Sequence, residues 1–67
     1  MSMDKKRIFA MIHDGVKRYV KAKEEGRTYA MNKAKMFLNE GVQYLREVGY
    51  DKDADDVQKS VEYIYLN

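Results

Sequence analysis

The sequence predicts an all-α domain: a helical hairpin plus a third helix, small and self-associating. Three observations carry this reading. The chain has no Pro and four Gly among 67 residues, so only glycine can punctuate its helices. Gly26 follows "KAKEE" and Gly49 follows "LREV", each where a helix ends in a left-handed residue just past its last turn. Between these stops, apolar residues recur at spacings of three and four, the period of a helix and not of a strand. The expected helices cover about 4–25, about 28–48 and about 52–66, in a single helical domain over residues 1–67.

The first helix places Phe9, Ile12, Val16 and Tyr19 on one stripe, widened by Ile8 and Val20, with a basic opposite side. The second carries two rows seven residues apart, Met31–Leu38–Leu45 and Ala34–Gly41–Val48, which make a heptad seam. A mid-helix glycine costs about 1 kcal/mol relative to Ala. Gly15 and Gly41 therefore need a packing reason, and the small Ala34–Gly41 row supplies one by letting a partner helix approach. The third helix continues with Ala54, Val57, Val61 and Ile64.

The ending "VEYIYLN" adds a second apolar side. At about 100° per residue, Tyr65 joins the Ala54–Val57–Val61–Ile64 face, whereas Tyr63 points opposite and Leu66 lies between. Tyr29 and Met36 likewise fall on the polar side of the second helix, beside Glu40 and Glu47. A chain this short buries only about 60% of the surface its unfolded form exposes. Disulfides, a structural metal or oligomerisation usually supply the remainder, and with no Cys and one His oligomerisation is the favoured route. Tyr63, Tyr65, Leu66 and Met36 are the expected interface.

Composition narrows the function. The apolar run Ile8–Ile12 is shorter than the roughly 7–15 residues of a signal-peptide core, and no stretch reaches the roughly 18 apolar residues of a membrane span. The expectation is a cytoplasmic protein without membrane contact. Catalysis lacks materials: His13 sits at the edge of the first stripe, and Ser2, Ser60 and Thr28 are the only hydroxyl nucleophiles beside the tyrosines. No nucleophile–base–orienter set has local support, so the expectation is a non-enzyme without cofactor.

"DKDADDVQKSVE" imitates a calcium loop, with Asp51, Asp53, Asp55 and Glu62 at the first, third, fifth and twelfth places. Asp56 stands where the loop's sharp turn needs Gly, and Gln58 where an apolar residue belongs. Helix capping accounts for the acids instead, with Asp51 or Asp53 as N-cap and Asp55 and Asp56 in the first turn.

Residues 1–35 carry ten Lys/Arg against four Asp/Glu, a net of +6, and residues 36–67 carry three against seven, a net of −4. Two readings stay open. The halves attract each other within the fold or between subunits, or part of the basic half holds an anion. Asp14 among Arg18, Lys17 and Lys21, together with the acidic third helix, argues against a long polyanion such as DNA or RNA. A smaller anion fits better, held by cations from "KRYVKAK" and "GRTYAMNKAK" near an oligomer interface. Arg27 and Thr28 begin the second helix, where unpaired N–H groups favour phosphate; Lys33 follows, and Tyr29 offers a ring on which a base can stack. Arg27, Thr28, Tyr29 and Lys33 are the candidate ligand site. The alternative for the same residues is Thr28 as N-cap, Arg27 in solvent and Tyr29 in the oligomer contact.

The segment "AKMFLNEGV", Ala34–Val42, resembles the "A-(R/K)-M-W-L-x-E-x-(L/V)" helix of the small phage-encoded anti-CBASS proteins. Phe37 replaces that family's usual Trp. Its upstream Thr-Lys pair falls, without gaps, on Tyr29 and Ala30, with Thr28 and Lys33 nearby. The resemblance implies an all-helical homo-oligomer that sequesters a cyclic nucleotide in a host cytoplasm. Beside a cyclic or linear nucleotide, the residues leave two other partners open: a protein target covered by the Tyr/Met surface, and nucleic acid.

Overall fold

A computed structural model describes residues 4–66. It contains three helices, α1 (Lys5–Glu24), α2 (Thr28–Glu47) and α3 (Asp51–Leu66), and no strand among the described residues. The all-α hairpin plus third helix is thus the observed architecture.

Both connections are set by glycine. Gly26 (φ 68°) and Gly49 (φ 95°) adopt the left-handed conformation that a Cβ would disfavour. In the first turn, Arg27 N–H donates to the Ala22 carbonyl at 2.9 Å and Gly26 N–H to that of Lys23 at 3.2 Å. The second repeats the pattern, with Tyr50 N–H on Leu45 at 2.8 Å and Gly49 N–H on Arg46 at 3.1 Å. These are complete Schellman motifs. At the other end of α1, Asp4 is the N-cap, its carboxylate accepting from Arg7 N–H at 2.9 Å.

Two of the expected caps are corrected. Asp51 is the first residue of α3, so the acids of its first turn are Asp51 and Asp53, not Asp55 and Asp56. Thr28 is likewise the first residue of α2; Arg27 holds the N-cap place and no side chain caps that helix. In both cases the preceding Schellman turn uses its last residue to start the next helix, one residue earlier than a side-chain cap needs.

One core cluster joins all three helices, with Ala54 and Val61 of α3 beside the residues of α1 and α2. α1 buries Ile8, Ile12, Gly15, Tyr19 and Ala22, and α2 buries Ala34, Leu38, Gly41, Val42 and Leu45; the two helices approach most closely at their glycines. The glycines permit this approach: a Cβ at Gly41 would stand 2.8 Å from Ile12 Cγ1, and one at Gly15 2.9 Å from both Leu38 Cδ2 and Phe37 Cδ1. The stripe on α1 is rotated from its expected place. Ile8, Ile12, Gly15, Tyr19 and Ala22 form the buried row, while Phe9 and Val16 are half-buried and Val20 is exposed.

α3 lies antiparallel to α2 and so runs parallel to α1, with Ala54 and Val61 buried. It packs chiefly on α2 and only slightly on α1. Two contacts tie its ends to α1. At the start, Lys5 Nζ meets Asp53 Oδ2 at 2.8 Å; at the finish, the Tyr19 and Tyr65 rings sit 5.0 Å apart, with Lys35 Nζ 5.0 Å from the Tyr65 centroid. The hydrogen bond to Asp53, and then its charge, raise the Lys5 pKa above the ordinary lysine value. Burial, and then the neighbouring Tyr19, raise that of Tyr65. Its hydroxyl is buried with no hydrogen-bond partner. On α2, Arg46 Nη2 reaches Asp55 Oδ1 and Gln58 Oε1, both at 2.8 Å.

Candidate functional site

The hairpin's C-terminal half of α1 and N-terminal half of α2 bound a cleft of about 550 Å³, within the roughly 300–1,000 Å³ of small-molecule sites. Its floor is apolar: Ala22, Ala30, Ala34 and Phe37. Around it stand Arg18 and Lys21 from α1, Arg27 from the turn and Lys33 from α2, with Tyr29 at one lip and Glu25 among them.

Helical spacing explains the assembly. Arg18 and Lys21 are three residues apart on the flank of α1 next to buried Ala22. Ala30, Lys33 and Phe37 rise along the facing flank of α2 at spacings of three and four. Antiparallel packing then brings both flanks to the turn.

The charges are partly neutralised. Arg18 Nε pairs with Asp14 Oδ2 at 2.9 Å, and Arg27 Nη1 approaches Glu25 Oε1 at 3.6 Å. Lys21 and Lys33 have no carboxylate partner among the described residues, and Lys33 Nζ lies 5.4 Å from the centroid of the Tyr29 ring. Lys21 also lies in the last turn of α1, where a cation complements the carbonyl end of the helix.

Of the four ligand residues expected from sequence, Arg27, Tyr29 and Lys33 share this cleft, while Thr28 is exposed and outside its wall. The sequence draws phosphate-binding cations from both "KRYVKAK" and "GRTYAMNKAK" but does not link Arg18 and Lys21, residue by residue, to Arg27 and Lys33. Only the register of α1 against α2 makes that link, and the signal was their position beside Ala22.

Of the expected interface residues, Met36 (63% exposed), Tyr63 (70%) and Leu66 (87%) lie on the surface, as does Tyr29 (74%). Tyr65 instead turns inward onto Tyr19. The calcium-like acids are strung along α3, with Asp53 and Asp55 engaged by Lys5 and Arg46; no three metal-binding side chains gather among the described residues.

A second concavity lies between α2 and α3, but its cation, Arg46, is already held by Asp55 and Gln58. A third, between α1 and α3, is apolar and brings His13, Asp56 and Ser60 to its rim. His13 is exposed there, neither half-buried nor capping, and no hydrogen bond joins the three. No helix among the described residues is long and apolar enough to cross a membrane. No protein-family model matches the chain, and no curated protein or solved structure matches it either.

Proposed function

We propose that the protein is a non-catalytic, self-associating binding protein that takes up a phosphate-bearing small ligand of the nucleotide class in the α1–α2 cleft. One observation carries this: Arg18, Lys21, Arg27 and Lys33 surround an apolar floor with an aromatic ring at its lip. Cations alone are common on surfaces; cations around an apolar floor match a ligand with an anionic and a flat apolar part. The phosphate sits between Lys21 and Lys33, the two cleft cations that no carboxylate holds, while Glu25 is turned to Arg27. A base stacks on Tyr29 in place of the Lys33 ammonium, for about 1–3 kcal/mol. Together with the resemblance of Ala34–Val42, the cleft supports a sequestering role toward a nucleotide signal, cyclic or linear, in a host cytoplasm.

Calorimetry against linear and cyclic nucleotides tests this. The expected outcome is a member of the panel bound at about 100 μM or tighter, near −5.5 kcal/mol, with Lys33→Ala and Arg27→Ala each weakening it about tenfold or more, since hydrogen bonds to charged groups contribute about 1.5–3 kcal/mol. No binding at that level, or binding that survives both substitutions, removes the reading. The exposed Tyr29, Met36, Tyr63 and Leu66 favour a protein-only adaptor as the second reading, and that outcome would make it the first.

A further inference from the structure

The least packed pair of helices is α1 and α3, and what lies between them is apolar. Phe9, Ile12 and Val16 form one wall and Val57, Val61 and Ile64 the other of a groove of about 420 Å³. The outer residues, Phe9, Val16, Val57 and Ile64, are only half-buried. Each bank differs in charge. On α1 the rim carries His13, with Lys6 two turns before it and Lys17 one turn after. On α3 it carries Asp56 and Ser60.

We propose that a second copy of this chain closes the groove, face to face, about a two-fold axis running along it. The claim rests on the self-association in the reading above but not on its ligand. Two isologous arrangements can join such grooves. An axis across the groove sets α1 on α1 and α3 on α3, antiparallel; an axis along it sets α1 of each copy beside α3 of the other, parallel. Charge separates them. At the groove itself the α1 rim carries Lys6 and Lys17 about His13, and the α3 rim carries Asp56. The first arrangement therefore places like charges together on both sides, and the second places opposite charges together on both. In the second, the Asp56 bank of one copy faces the Lys6–His13 bank of the other while the apolar walls meet between them. A protein target would need its own matching pair of banks; a second copy has them by symmetry.

The chain has no Cys, so single-cysteine variants at the exposed rim report the arrangement directly. His13→Cys and Ser60→Cys are made separately, then oxidised alone and as an equal mixture. The expected result is a disulfide-linked heterodimer in the mixture, several-fold above either homodimer, and a light-scattering mass twice the single-chain 7.9 kDa. A single-chain mass at about 100 μM overturns both the self-association and this interface. A double mass with His13→Cys linking to itself as readily as to Ser60→Cys overturns this interface alone. Circular dichroism of each variant confirms that both helical contents are native.

Discussion

The α1–α2 hairpin and α3 are held in place by different physics. In the hairpin, two glycines let the helices approach, and each helix buries five residues. On α3 only Ala54 and Val61 are buried, and much of what else ties it down is polar and exposed: Lys5–Asp53, Arg46–Asp55 and Arg46–Gln58. Exposed ion pairs contribute about 0–1 kcal/mol each, whereas a fully buried aliphatic side chain contributes about 1.5–3. The hairpin is therefore the scaffold and α3 an attached element. The cleft with four cations sits on the scaffold, where its geometry is fixed; the groove sits where attachment is weakest.

The largest test of this contrast is a pair of truncations. Leu38→Ala, in the hairpin seam against Gly15, is expected to cost about 2–5 kcal/mol by urea unfolding, and Val61→Ala on α3 distinctly less. Hydrogen exchange should show the α3 amides opening before those of α2. Equal costs, or equal protection, would break the distinction.

A smaller effect sharpens the role of the close approach. Leaving Gly normally improves a helix by up to about 1 kcal/mol, yet Gly41→Val places new carbon where Ile12 already stands. The expected result is a net loss of about 1–3 kcal/mol by overpacking, read as a lower urea midpoint. A neutral or stabilising Gly41→Val would show that the seam yields.

The smallest effect belongs to the far end of α3. Tyr65→Phe removes a buried hydroxyl that has no partner and keeps the ring against Tyr19. Stability should stay level or rise by about 1 kcal/mol. The pH dependence follows from the raised Tyr65 value. A group with a raised folded pKa contributes fully below its unfolded pKa, about 10 for Tyr, and its contribution is lost as pH rises through the folded value. Lys5 is raised in the same sense by Asp53. The urea midpoint should therefore fall above about pH 10, and fall less in Tyr65→Phe. An identical alkaline decline in both would remove Tyr65 as a source.

Much of the fold was legible because single residues declared it. Gly26 and Gly49 ended their helices where the sequence placed them, and the small Ala34–Gly41 row marked the close approach. What stayed hidden depended on rotation of one helix against another. Phe9 and Val16 read as core because their spacing fits a stripe, but α1 turns Gly15 and Ala22 to α2 instead, which moves that row to the groove. The same rotation decides which cations of "KRYVKAK" join Arg27 and Lys33: Arg18 and Lys21 line the cleft. Tyr65 was correctly joined to the Val61–Ile64 face, yet its ring partner, Tyr19, is forty-six residues away, and no local pattern announces it. Thr28 fits a capping composition, but the Schellman turn before it left no room for the cap.

The two short turns also govern how the chain reaches this form. Each connection spans three residues, Glu25–Arg27 and Val48–Tyr50, and the strongest packing joins helices that are neighbours in sequence. Little loop entropy has to be given up before a contact forms, and closing loops of that scale takes about 10–100 ns. Chains dominated by such local contacts fold in roughly microseconds to milliseconds. The exposed aromatics and the apolar walls of a newly made chain are thus reduced to their final extent on that timescale. In the proposed pairing, folding would precede assembly, and each subunit would bring a groove already shaped.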